Sequence, residues 1–197
     1  EEKIQKEYGQ ISYGDEGGFA VPSDDPLQGL RLLQDFEGKL GLDIAASTMQ
    51  QKQLIETYEN IAQDFPVLSI EDPFDEEDWE SFAKLTAKIG NKVWIIGDDL
   101  LTTNVKRIKK AEELKAVNAV LIKPNQIGSV SETIQAVNLA KSYGWKTIVS
   151  HRSGETMDTF IADLAVGIGA DGLKSGCPLQ KERLVKYERL VEIENTL

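Results

Sequence analysis

Short apolar runs recur along the chain, and each ends on a single polar residue. Leu40-Gly41-Leu42 runs into Asp43, Leu68-Ser69-Ile70 into Glu71, and Trp94-Ile95-Ile96-Gly97 into Asp98. Ala119-Val120-Leu121-Ile122 runs into Lys123, Ile148-Val149-Ser150 into His151, and Gly172-Leu173 into Lys174. Runs this short and this rich in branched side chains predict buried strands. Their polar ends lie 23 to 28 residues apart, about the length that one strand-helix unit needs. Between them the apolar positions adopt helical spacing. Ser23 or Asp24 is expected to cap a helix over 23–36 with Leu27, Leu30 and Leu33 on one face. Thr48 is expected to cap a helix burying Leu54, Ile55, Tyr58, Ile61 and Ala62. Asp78, Asn104 and Ser129 open three more, with Trp79, Phe82, Ala83, Leu85 and Ile89 inward in the first. Val105, Ile108 and Leu114 face inward in the second, and Ile134, Val137, Leu139 and Ala140 in the third. Further helices are predicted over 158–168 and 180–194, the last burying Leu184, Tyr187, Leu190 and Val191.

Strict alternation of strand and helix predicts an α/β fold, a TIM-type (βα) barrel with its chemistry at the strands' C-terminal ends. A complete eight-unit barrel usually takes ~250 residues. The 197 residues hold six such units, so about two are missing. No Pro- or Ser-rich linker divides the chain, which reads as a single partial barrel domain over 1–197.

The 33 acidic residues outnumber the 22 basic ones, for a net charge of −11. That balance argues against nucleic acid or an anionic membrane as the main partner. No apolar run approaches the ~20 residues of a membrane span, and the N-terminal residues lack a signal-peptide pattern. A single cysteine, Cys177, leaves no intrachain disulfide and fits a reducing cytoplasm.

The strand-end residues carry the candidate chemistry. Asp43, Glu71 and Asp98 come from three successive strands and should converge at the barrel mouth. Three bare carboxylates within ~4 Å repel by ~4 kcal/mol per pair at an effective dielectric of ~20, and a bound cation relieves this. An all-oxygen set without His or Cys points to Mg²⁺. Lys123 and Lys174 lie opposite, and a partly desolvated lysine beside other cations serves as a base. Arg152 and Ser153 offer donors suited to phosphate or carboxylate. His151 suits an orienting donor better than a base. The loop Gly14-Asp15-Glu16-Gly17-Gly18 can bring an acid close to a ligand. Metal on one side and a neutral lysine on the other suit proton removal beside a carboxylate.

Gly14-Asp15-Glu16-Gly17-Gly18, Ser69-Ile70-Glu71-Asp72-Pro73-Phe74, Gly97-Asp98-Asp99-Leu100, Ile122-Lys123-Pro124-Asn125-Gln126-Ile127-Gly128 and Ser150-His151-Arg152-Ser153-Gly154-Glu155-Thr156 resemble enolase, the phosphopyruvate hydratase family. The resemblance runs nearly end to end in the same order. It implies Mg²⁺-dependent dehydration of 2-phosphoglycerate to phosphoenolpyruvate, a lyase reaction of glycolysis. Position by position, it implies that Asp43, Glu71 and Asp98 hold the metal. It makes Lys123 the base at C2 and Glu16 the acid assisting departure of the C3 hydroxyl. Glu71, Asp98, Lys123, Ser150, His151, Arg152, Ser153 and Lys174 are then expected to bind substrate. The family resemblance also implies a cytoplasmic homodimer or larger homo-oligomer. The family's N-terminal α+β domain and early barrel strands are absent from these 197 residues, and the chain is shorter than the pattern between Phe36 and Gly41 and around Ser47-Thr48-Met49. Met157 stands where an acid is usual, and Cys177 where alanine is common. With two open edges, the isolated chain is expected to be poorly folded and poorly active. Two rival readings are another enolase-superfamily enzyme and a noncatalytic enolase-derived binding or structural protein.

Overall fold

A computed structural model describes residues 1–48 and 54–197. The chain opens with helix α1 (Glu2–Tyr8), a small antiparallel pair, β1 (Ser12–Tyr13) and β2 (Phe19–Ala20), and helix α2 (Gln28–Leu33). The repeating part follows: β3 (Leu40–Asp43), a 3-10 turn (Ala46–Thr48), α3 (Ile55–Asp64), β4 (Val67–Glu71), α4 (Trp79–Ile89) and β5 (Trp94–Gly97). It continues through α5 (Val105–Leu114), β6 (Ala119–Ile122), the short α6 (Pro124–Ile127), α7 (Val130–Ser142) and β7 (Lys146–Ser150). The chain closes with α8 (Phe160–Gly167), β8 (Gly172–Lys174) and α9 (Lys181–Glu194). Strands β3 to β8 lie side by side in sequence order, all parallel, as a curled half-barrel.

Alternation along the strands divides the apolar side chains between two faces. Ile70, Ile95, Val120, Ile122 and Val149 join the large core under the helices, where Phe82, Leu85, Ile108 and Ala136 meet them. Ile96, Ala119, Leu121 and Ile148 form a smaller cluster, with Trp94 packed against it. All four residues of β6 are therefore buried, as a central strand covered on both faces requires.

Three helix starts follow from side-chain caps: Asp78 accepts from Ser81 N, Asn104 from Lys106 N and Arg107 N, and Ser129 from Glu132 N. The other boundaries move. Helix α2 is shorter than the expected 23–36, because Asp25 turns back on Leu27 N (2.9 Å) before the helix begins. Thr48 does not cap α3; it closes the 3-10 turn onto Ala45 O, and α3 starts after Leu54. The expected departure at Met49 lies outside the described residues. Leu33, Leu54, Leu114, Ile134 and Val191 are exposed rather than inward. On α7 the inner face is Thr133, Ala136, Val137 and Ala140.

Gly97 ends β5 at a crowded corner. A Cβ there would lie 2.7 Å from Leu101 Cγ, where the chain turns with Leu101 N on Asp98 O (3.0 Å). Gly97→Ala should therefore cost about 1–3 kcal/mol, the usual range for overpacking. Urea unfolding measures this directly, and an unchanged midpoint would contradict the crowding.

Candidate active site

Strand register fixes most of the site. Asp43 sits beside Glu71 on β3 and β4, and Ser150 beside Lys174 on β7 and β8. Asp98 and Lys123 follow directly on β5 and β6, and His151 on β7. One cavity of about 460 Å³ at this end is lined by Glu16, Asp43, Glu71, Asp98, Lys123, Ser150, His151, Arg152, Ser153 and Lys174. Every site residue expected from the sequence thus lines one concavity, joined by Asp72, Asp99 and Asn125.

Its electrostatics centre on two lysines among acids. Lys174 Nζ donates to Asp43 Oδ2 at 2.6 Å and to both Glu71 oxygens at 2.9 Å. Burial opposes the Lys174 charge, yet Glu71 and Asp43 hold it as an ammonium above the ordinary lysine range. Glu71 is pushed up to about 7, chiefly by burial, with Asp43 and Asp98 adding repulsion against the pull of Lys174. Lys123 donates to Asp98 Oδ2, and the Gln126 amide donates to Asp98 Oδ1 at 3.3 Å. Thr103 Oγ1 accepts from Lys123 N at 2.9 Å, so the backbone that aims this lysine is tied down from β5's own loop.

Asp72 has a different task. Its backbone is in the left-handed region (φ 40°), and its carboxylate accepts from Asp98 N at 3.0 Å and Asp99 N at 2.8 Å. Burial pushes Asp72 up to about 7 while those two N–H groups oppose it. Aspartate tolerates this conformation better than most residues, and here the backbone turn accompanies its two hydrogen bonds to the β5 end.

Glu16 enters from the glycine-rich loop. Gly17 (φ 79°) permits the turn, and a Cβ there would press within 3.1 Å of the Gln180 side chain. Cys177 N donates to Glu16 O, so the β8–α9 connection holds the loop in place. The Glu16 carboxylate lies 3.2 Å from His151 Nε2 and 3.4 Å from Ser153 Oγ. His151 is buried, its pKa held below the ordinary value by burial, with Arg183 and Lys174 adding to the effect and Glu16 opposing it. Arg152 donates to Asn125 Oδ1 at 2.9 Å across the mouth.

Comparison with known proteins fits this geometry. Residues 37–197 match the family described as enolase, C-terminal TIM barrel domain. The chain belongs to the enolase family. It is 46% identical to the Enolase of Solanum lycopersicum over 226 residues, covering 98% of this chain and 51% of that protein. It is also 46% identical to Enolase B of Dictyostelium discoideum, covering 100% and 52% respectively, and to the Enolase of Eimeria tenella, covering 93% and 48%. The chain spans about half the length of the curated relatives it matches. The matched stretch in the first of these is longer than the 197-residue chain, so that relative carries residues within it that this chain lacks.

In this enolase-family barrel, the acids whose oxygens lie within 4.8 Å of one another, among the described residues, are Asp72, Asp98 and Asp99. Of the expected metal set only Asp98 belongs to it; Asp43 and Glu71 instead share the Lys174 ammonium. Among the described residues, the atoms that accept from that ammonium are carboxylate oxygens alone, the ligand type that a hard divalent cation takes. Asp72, by contrast, already spends both oxygens on backbone N–H groups.

Four contributors had no role assigned from the sequence: Asp72, Thr103, Gln126 and Arg183. Asp72 and Gln126 sit inside quoted motifs, so their position was visible and their partners were not. Asp72→Ala removes two acceptors from buried N–H groups, and the loss should outweigh relief of a buried charge. The fold should weaken by about 1–3 kcal/mol. Urea unfolding tests this, and an unaltered midpoint would show that the Asp98 and Asp99 N–H groups need no such support.

Proposed function

We propose that this chain supplies the catalytic barrel of an enzyme that dehydrates 2-phosphoglycerate to phosphoenolpyruvate with Mg²⁺. The observation that carries the reading is the gathering of Asp43, Glu71 and Asp98 in one cavity with Lys123 and Lys174, in an enolase-family barrel. Six carboxylates line that cavity (Glu16, Asp43, Glu71, Asp72, Asp98, Asp99) against three cations (Lys123, Arg152, Lys174). A phosphorylated acid carries the same sign as this lining, so a divalent cation is needed to bring the two together.

Asp43, Glu71 and Asp98 would hold Mg²⁺, which supplies charge neutralisation as the substrate carboxylate takes on enediolate character. Lys123 removes the proton at C2. It must do so as the neutral amine, so the proton with which it now bonds Asp98 has first to leave to solvent. Glu16 gives a proton to the departing C3 hydroxyl, aimed by His151 and Ser153. Ser150, His151, Arg152 and Ser153 bind phosphate and carboxylate, and Lys174 passes from its two acids to the substrate carboxylate. We further place the whole protein in the cytoplasm as a homodimer or larger assembly, on the strength of its family membership. No helix among the described residues is long and apolar enough to cross a membrane.

The direct test is conversion of 2-phosphoglycerate by the full protein, followed at the absorbance of phosphoenolpyruvate, with Mg²⁺ and with a chelator. Turnover that needs Mg²⁺ is expected. Absence of turnover from intact, folded, Mg²⁺-loaded protein would overturn the reading.

A further inference from the structure

Helix α9 was expected to turn apolar residues inward, yet its fully buried side chains are Arg183 and Lys186. Arg183 is 1% exposed, and no carboxylate lies within 4.0 Å of its guanidinium among the described residues. Burying an arginine without an acid is costly, and its partners explain the placement. Nη1 lies 2.6 Å from His151 Nδ1 and donates to Arg152 O at 2.8 Å; Nη2 donates to Ser153 O at 2.7 Å, and Nε to Gln180 Oε1 at 3.2 Å. The guanidinium therefore grips three consecutive residues of the loop that follows β7.

We infer that Arg183 is a positioning residue that fixes the tautomer of His151, and hence the direction of its hydrogen bond to Glu16. A guanidinium carries five N–H donors and no acceptor. The ring nitrogen facing it at 2.6 Å can only accept, so Nδ1 is bare. A neutral imidazole then carries its hydrogen on Nε2, which faces Glu16 Oε2 at 3.2 Å and donates to it. The ring cannot rotate out of this arrangement freely. At Gly176 (φ 76°) an added Cβ would stand 3.1 Å from His151 Cε1 and 3.1 Å from Arg183 Cδ, so ring and arginine pack on bare backbone. Lys186 secures the same loop from the next turn of α9, pairing with Glu155 at 2.7 Å, while Glu155 accepts from Arg152 N at 3.0 Å. The consequence is chemical. With one nitrogen held by Arg183 and the other already protonated, His151 has no free lone pair with which to act as a base. It serves as a fixed donor that aims Glu16.

The inference concerns the same site as the proposed dehydration and rests on that reading for its catalytic consequence, but not for the tautomer. Nitrogen-15 NMR of the full protein, labelled at histidine and assigned by loss of signal in His151→Gln, reads the tautomer without turnover. At about pH 8, where an ordinary histidine is neutral, the wild type should show hydrogen on Nε2 alone. Arg183→Lys retains a donor and should keep that tautomer. Arg183→Met should bring Nδ1–H into the population and lower kcat on 2-phosphoglycerate on the order of 10- to 100-fold, comparable to the loss when a metal-bound histidine is deprived of its orienting partner. Hydrogen on Nδ1 in the wild type would overturn the inference, and so would an unshifted Nε2–H tautomer in Arg183→Met. Should Arg183→Met fail to fold, the wild type and Arg183→Lys spectra decide. A wild type that is inactive yet holds Nε2–H refutes the dehydration alone.

Discussion

Replacing Lys123 by alanine should lower kcat by roughly 10²–10⁴, the usual contribution of a positioned general base. The side chain is largely buried, its backbone N–H is anchored on Thr103 Oγ1, and its amine is anchored on Asp98. An amine so tightly constrained supplies orientation as well as basicity, so buffer amines should restore little of the loss. Exchange of the C2 hydrogen of 2-phosphoglycerate with deuterium from solvent isolates the step. In Lys123→Ala that exchange should vanish along with turnover. Exchange at the wild-type rate would remove Lys123 from the role of base, whatever happened to overall turnover. A thermal melt run in parallel separates this from damage to the fold, because the change also leaves Asp98 without its cation.

The second large effect is on stability. Mg²⁺ at a hundred times its dissociation constant should stabilise the fold by about 2.7 kcal/mol, raising Tm by roughly 5–10 °C at this size. Glu71→Gln should lose most of that gain. Acidity supplies a further arm with a fixed sign. Glu71 is raised from 4.5 to about 7 by burial and by its acidic neighbours. The native state thus favours the protonated form. Without metal, the stability this confers is present below about pH 4.5 and lost as pH rises through about 7. The amount is on the order of 3 kcal/mol, at 1.36 kcal/mol per pKa unit. Asp72, also raised to about 7, adds a part of the same sign. Urea midpoints in a chelator should therefore be lower at pH 8 than at pH 5, more so in wild type than in Glu71→Gln. With Mg²⁺ present, the difference at pH 8 should shrink. A wild-type slope identical to that of Glu71→Gln would show that the burial of this acid exerts no such cost.

The contrast between what the sequence revealed and what it concealed follows from range. An apolar run that ends on a charge is a local signal, so Asp43, Glu71, Asp98, Lys123, His151 and Lys174 were legible at strand ends, and register then brought them together. Caps at Asp78, Asn104 and Ser129 were legible because each bonds a backbone N–H two or three residues away. Thr48 has the same chemistry, but α3 begins only at Ile55, further along than a cap reaches, and the hydroxyl donates to Ala45 O instead. The partners of Asp72 lie 26 and 27 residues away, and those of Arg183 up to 32, beyond the reach of any periodicity. A helical wheel also assumes that the inner face is apolar. Under α9 it meets the open carbonyls of the His151 loop, and there cations fit better than leucines.

Strands β3 and β8 stand at opposite ends of the six-strand row and share no ladder. Lys174 nevertheless reaches from β8 to Asp43 on β3, 131 residues away in sequence. That ammonium ties the two margins of the row together at the mouth of the pocket. Whatever draws the lysine away, a carboxylated guest or a metal claiming its acids, also releases this tie, and by reciprocity anything that shifts either margin must alter the hold on such a guest.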